Sequence, residues 1–149
     1  MTKKFKSDIL TCFLFFSFAF PQIQLGADID GEAAEDFSGW SVSMSSDGSR
    51  LAIGAPFNAI NGSAFGHVRV YEYANSAWTQ LGADIDGEAA NNSSGYSVSM
   101  SSDGSRLAIG ANTNDGNGSY SGHVRVFEYA NSAWTQLGAD IDGEAAGDQ

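Results

Sequence analysis

Residues 40–55 read WSVSMSSDGSRLAIGA. From Trp40 to Ser45 polar and apolar side chains alternate, the period of a strand with one face buried. Ser46-Asp47-Gly48-Ser49 follows, and Asp-Gly tolerates the positive φ angles that a tight hairpin needs. Arg50 to Ala55 is then a returning strand. Working outward, Pro56 to Phe65 is a polar loop containing Asn61-Gly62, Gly66 to Tyr73 alternates again, Ala74-Asn75-Ser76 is a turn, and Ala77 to Leu81 is a fourth strand. No segment of this unit has helical periodicity, so the expectation is an all-β unit of four antiparallel strands.

The unit repeats. Gly26–Leu81 aligns without a gap on Gly82–Leu137, with 45 of 56 positions identical, and a third copy runs from Gly138 to Gln149. The decapeptide LGADIDGEAA marks each junction, at Leu25, Leu81 and Leu137. A four-stranded sheet with apolar residues on both faces cannot cover them alone, so strict repetition predicts stacking of copies. Radial stacking gives β-propeller blades. Ser, Ala and Gly in the first two strands suit a crowded axis, and Tyr71, Tyr73 and Trp78 suit a wider rim. A β-sandwich is the structural rival, but a sandwich has no reason to repeat its sequence.

This reading divides the chain into a signal peptide (1–20), a solitary fourth strand of a closing blade (21–25), blade repeats at 26–81 and 82–137, and the start of a truncated third repeat (138–149). The strand at 21–25 is expected because Gln22–Leu25 aligns with Trp78–Leu81. Propellers close with about four to eight blades, so two blades plus one strand predict a fragment of a longer propeller, or a chain that self-associates through exposed edges and faces.

The first twenty residues resemble an export signal: Lys3, Lys4 and Lys6 precede an apolar run from Ile9 to Phe20 that is too short for a membrane span. Cys12 lies inside that run. Its removal leaves four arginines (seven basic residues less three lysines) against seventeen acids (eighteen less Asp8), a net charge of −13. Nucleic acid and anionic membrane surfaces demand clustered Lys and Arg and are therefore excluded as partners, as is membrane insertion of the mature chain. Without cysteine, the mature chain has no disulfide framework.

Ser38-Gly39-Trp40-Ser41-Val42, Leu51-Ala52-Ile53-Gly54-Ala55-Pro56 and Gly66-His67-Val68-Arg69-Val70-Tyr71 together resemble the FG-GAP repeat of integrin-α-like propellers, with its aromatic-Gly opening, Gly-Ala-Pro and Gly-x-Val-x-Val-Tyr strand. The resemblance spans essentially the whole mature chain. It departs from the pattern at Ser93-Ser94-Gly95 and at Asn112, which stands where Pro56 does. The hairpin at 46–52 also looks like turns of WD40-type blades. Integrin-like calcium loops carry Asp-x-Asp-x-Asp-Gly between the first two strands; here that place is Ser45-Ser46-Asp47-Gly48, so their metal function does not transfer. The resemblance implies a secreted or cell-surface, non-catalytic binding or adhesion module for an extracellular protein or glycan.

In an up-and-down blade, the loop before the first strand and the loop joining the second to the third lie at one end. Nine of the eleven differences between copies fall in those loops, where binding usually sits. On the same face lie Asp28, Asp30 and Glu32, repeated as Asp84, Asp86 and Glu88 and as Asp140, Asp142 and Glu144. Alternate carboxylates around a Gly turn make these candidate calcium ligands, calcium being an oxygen-seeking ion of flexible geometry; a solvated acidic connector is the plain alternative. Asp28 and Asp30 are the candidates for an axis-facing hydrolase pair. Identical acids in every copy argue against catalysis, which needs one unsymmetrical set, and leave a binding or purely structural array. The Asn112–Gly118 loop has one carboxylate, a weak cation site. His67 and His123, beside no Cys or second His, read as structural. Asn61-Gly62-Ser63 and Asn117-Gly118-Ser119 are sequons.

Overall fold

The computed structural model describes residues 22–60 and 63–148, so the signal-like segment, Cys12 and the Asn61-Gly62 pair lie outside the described residues. The described chain is all-β, without a helix, and forms two antiparallel sheets that copy each other. In the first copy the strands are β1 (Ser41–Met44), β2 (Arg50–Ala55), β3 (Ala59–Ile60), β4 (Ser63–Ala64), β5 (His67–Ala74), β6 (Ala77–Gln80) and β7 (Ile85–Asp86). The second copy supplies β8 (Ser97–Met100), β9 (Arg106–Ala111), β10 (His123–Ala130), β11 (Ala133–Gln136) and β12 (Ile141–Asp142). The first sheet runs β1-β2-β5-β6 and the second β8-β9-β10-β11, with tight turns joining the outer pairs and a long loop joining β2 to β5 and β9 to β10.

The expected turns form for the expected reasons. Asp47 accepts from the Ser49 amide (3.0 Å) and the Ser45 hydroxyl (2.7 Å), and Gly48 takes φ 73°. Asn75 and Ser76, at φ 52° and 65°, make the doubly left-handed turn that matches strand twist, and Asn131 and Ser132 repeat it.

Three features differ from the sequence reading. Gln22–Gln24 is not a strand. Its counterpart β6 is held by β5, and among the described residues nothing precedes residue 22 to offer such a partner. The loop after β2 holds the small hairpin β3–β4 in the first copy only. In the second copy Asn114 Oδ1 instead accepts the Gly116 amide (2.7 Å), at a place where a Cβ on residue 116 would stand 2.8 Å from that oxygen, whereas the aligned Asn58 is bonded to Asp36. Finally, each sheet has a short fifth strand. Ile85–Asp86 pairs with His67–Val68, and Ile141–Asp142 pairs with His123–Val124. The start of each copy thus completes the sheet of the copy before it, and Ile141–Asp142 does so for the second sheet.

Each sheet has two apolar faces of different character. One face of the first sheet presents Ala52, Val68, Val70 and Ile85, small and β-branched, all buried. Against it packs the opposite face of the second sheet, with Leu107, Ile109 and Phe127 buried and Val98, Met100 and Trp134 partly so. Strand β8 lies beside β1, and polar bonds fix the offset. The Ser46 amide donates to the Ser102 carbonyl (2.9 Å), the Ser41 hydroxyl to the Gly95 carbonyl (2.7 Å), and Arg50 Nη1 to the Gly104 carbonyl (3.0 Å). Gly54 is required here, because a Cβ on it would meet the Gly95 carbonyl.

The outer faces show the same rule by contrast. Val42 and Met44, counterparts of Val98 and Met100, are 61% and 51% exposed. Ile85 is 5% exposed and its counterpart Ile141 62%. A cavity of about 270 Å³ lies against Gly110, Val124 and Ile141, the place that Gly95 fills over Gly54 in the first sheet.

Leu107→Ala is expected to cost about 2–5 kcal/mol, as burial and the cavity dictate, and Leu51→Ala, half-buried at the same repeat position, distinctly less; urea unfolding of the two variants compares them. In the hairpin turns, the amide of Ser49 and the hydroxyls of Ser45 and Ser49 hold Asp47 down from 3.8 to about 2, and the Ser101 hydroxyl with Ser105 does the same for Asp103. A folded pKa below the unfolded one means this contribution is complete above the unfolded value of 3.8 and vanishes as pH falls through about 2. NMR titration should show both carboxyls with midpoints near 2, and Asp47→Ala should lower stability at neutral pH but not in strong acid.

Candidate functional site

The connector from Leu81 is held between two sheets, and those from Leu25 and Leu137 each show one of the two attachments. Towards the sheet of its own copy, Trp78 Nε1 donates to the Leu25 carbonyl (2.9 Å) and Arg69 Nη2 to the Asp30 carbonyl (2.7 Å). One period later Trp134 holds Leu81 and Arg125 holds Asp86 at the same distances. Towards the preceding sheet, β7 and β12 supply the ladder bonds just described. The carboxylates of Asp28, Asp84 and Asp140 accept from the amides of Gln24, Gln80 and Gln136 at 2.7, 2.6 and 2.7 Å.

Among the described residues, the three acids of one connector, Asp28, Asp30 and Glu32 or Asp84, Asp86 and Glu88, form no group whose ligand atoms all lie within 4.8 Å of one another. Asp30 and Asp86 lend their carbonyls to arginines instead.

What the structure brings together is acids of consecutive copies around a histidine. His67 Nδ1 lies 3.8 Å from Glu32 Oε2 and 3.9 Å from Asp84 Oδ2. One period on, His123 Nδ1 is 3.5 Å from Asp140 Oδ2, and Glu88 completes a group whose ligand atoms lie within 4.8 Å of one another. Arg69 Nη1 stands 3.9 Å from the other Glu32 oxygen, and Arg125 Nη1 3.6 Å from Glu88. No partner for His67 was legible in the sequence because its neighbours Glu32 and Asp84 are 35 and 17 residues away, on connectors whose pairing is visible only in three dimensions. Beside this group burial raises the Tyr71 phenol above its usual range, with Asp84 and Glu32 adding and Arg69 opposing, so Tyr71 stays neutral.

The loop face holds a second feature that charge reading passed over. Phe37, Trp40, Phe57 and Tyr96 form an exposed aromatic cluster, with ring centroids 6.2 Å (Phe37–Trp40), 5.3 Å (Phe37–Phe57), 5.8 Å (Trp40–Phe57) and 5.5 Å (Trp40–Tyr96) apart. Positions 37, 40 and 57 are among those that differ between copies: the second has Ser93, Tyr96 and Thr113 there. Those polar residues bond each other instead, Thr113 Oγ1 lying 3.1 Å from Ser93 Oγ and 2.7 Å from the Asn91 carbonyl. An adjoining cavity of about 490 Å³ runs from Phe57 past Asn91, Thr113 and Asp115 to Tyr120. Phe37 sits at φ 53°, a conformation an L residue adopts only when its surroundings hold it there. The hold is Asp36, buried, which accepts from the Ala33 amide (3.1 Å) and from Asn58 Nδ2 (2.8 Å), joining the two loops that carry Phe37 and Phe57. The Asn112–Gly118 loop is spent on its own structure: Asp115 caps the Tyr120 amide (2.7 Å), and Asn117 Nδ2 donates to the Gly143 carbonyl (2.9 Å).

No protein-family model matches this chain, and no curated protein matches it either.

Asp36→Ala strands the buried Asn58 amide and should cost about 1–3 kcal/mol, read as a lower urea midpoint. The loss should be larger than for Glu35→Ala, whose exposed carboxylate shows no such bond.

Proposed function

We propose that the chain is a secreted or cell-surface, non-catalytic binding module of the β-propeller type, related to FG-GAP repeats, and that its ligand is a glycan held on the loop face. The observation that carries the function is the aromatic cluster. Exposed patches of large apolar side chains mark interaction sites, and this one interrupts a repeat that is otherwise nearly perfect. A binding site for one ligand needs one unsymmetrical set of groups, and positions 37, 40 and 57 are where the two copies part. Ring faces pack on the C–H faces of sugars. Beside the cluster, the Thr113 oxygen, which donates its own proton to Asn91, and Asp115 Oδ2, the oxygen that does not cap Tyr120, remain able to accept from sugar hydroxyls.

The propeller reading is supported by the stacking rule. A small-residue face covers a large-residue face, and one copy of each stays uncovered, at Val124 and Ile141 and at Val42 and Met44. Such head-to-tail contacts close into a ring when the rotation allows. A further sheet, from the same polypeptide or from a second copy, would cover both. The aromatic cluster, placed ahead of the innermost strands β1 and β8, would then stand at the mouth of the central channel. Export is supported by the lysine-led apolar run before residue 21.

Retention on immobilised polysaccharides and glycan arrays tests this. Trp40→Ala and Phe57→Ala should each weaken binding at least tenfold while leaving the melting temperature nearly unchanged. Asp30→Asn should leave binding as it is. Glycan binding unaffected by both aromatic substitutions would overturn the assignment, and binding of extracellular protein alone would redirect it.

A further inference from the structure

We propose that Glu32, His67 and Asp84, and one repeat later Glu88, His123 and Asp140, each hold a divalent transition-metal ion of the zinc class that clips consecutive copies together. His67 is the observation that sets this apart from an acidic surface. Its side chain is 2% exposed, its ring makes no hydrogen bond among the described residues, and Nδ1 is aimed between two carboxylates at 3.8 and 3.9 Å, beyond hydrogen-bond reach. A buried polar group is normally satisfied, and an ion between these three atoms would satisfy it. Ligands about 2.0–2.1 Å from a tetrahedral zinc lie about 3.3 Å from each other. The His67–Glu32, His67–Asp84 and His123–Asp140 separations of 3.5–3.9 Å are a few tenths of an ångström wider, and the remaining ligand pairs lie within 4.8 Å, gaps that rotation of the partly exposed carboxylates closes.

The donor set selects the metal. Calcium and magnesium take oxygen ligands, whereas one imidazole nitrogen with two carboxylates suits zinc and its first-row neighbours. The outer shell is also in place. Glu32 turns one oxygen to His67 and the other towards Arg69, and Glu88 likewise faces Arg125, the kind of contact that orients a ligating carboxylate. Water would complete the coordination. Since Glu32 belongs to one connector and Asp84 to the next, with His67 at the start of β5 between them, the ion would brace the junction of the copies in a mature chain that has no cysteine to do so. Period-56 recurrence of all three residues means the clip would be built again at each junction.

The test uses the untagged full chain, stripped with chelator and titrated with ZnCl₂, CoCl₂ or CaCl₂. Calorimetry should show both sites filling with zinc, the melting temperature should rise by several degrees, and cobalt should give the visible absorption of a tetrahedral ion; calcium should do none of these. His67→Ala should lose one of the two sites. Because that ring is buried, Glu32→Gln and Asp84→Asn, at partly exposed positions, provide a second set that should keep the fold and lose the same site. No zinc heat and no melting shift would overturn the proposal, as would an equal response to calcium or unchanged stoichiometry in all three variants. A zinc-independent melt that varies only with pH would show a protonated histidine held by carboxylates, and would overturn it too.

Discussion

A sheet that is apolar on both faces must be covered on both. Ala52, Val68, Val70 and Ile85 line one side of the first sheet, while Val42, Met44, Leu51 and Ile53 belong to the other. Full burial of a single valine or leucine side chain contributes about 1.5–3 kcal/mol. Two such faces on a sheet of short strands make isolation costly, and stacking in fixed order follows. The small-residue face lets the next sheet approach until the backbones touch at Gly54 and Gly95, close enough for Ser41 and Ser46 to bond across. Packing and polar bonds thus select the same offset of one repeat.

The connector depends on that offset. Its path from one sheet to the next is fixed by Trp78 and Arg69 at one side and by the β7 ladder at the other. The decapeptide is therefore conserved between copies as a joint, with Gln80 and Asp84 locking its bend. A joint repeated identically brings the same three side chains together at every junction, and the His–carboxylate groups are the product. The loops at the same end escape this demand. Away from the Ser94–Gly95 contact with the first sheet they are free to vary, and there the copies diverge into an aromatic cluster in one and a hydrogen-bonded set of Ser93, Thr113 and Asn91 in the other.

Much of this was legible in the sequence. Alternation and the Asp-Gly and Asn-Ser turns placed the four main strands of each copy within a residue or so, because those signals are local. Gln22–Gln24 carries no strand in the structure, since a strand is a property of a pair and the alignment with Trp78–Leu81 supplied no partner. The fifth strand was invisible for the same reason: Ile85–Asp86 is too short to show a period. Among site residues, the acids were found, but the meeting of Glu32 and Asp84 at His67 was not legible, because these residues are far apart in sequence and only the fold brings them together. The aromatic cluster had its signal in plain view, as Phe and Trp at positions 37, 40 and 57 against Ser, Tyr and Thr.

The central claim is that the two copies stack by one rule, with the first sheet covered on one face only. Amide hydrogen exchange measures this directly in the dilute, monomeric chain. The Ser46 amide donates to the Ser102 carbonyl of the next copy, whereas the Ser102 amide, at the same repeat position, has no partner among the described residues. The account predicts that Ser46 exchanges orders of magnitude more slowly than Ser102. Equal, rapid exchange at both positions would contradict it.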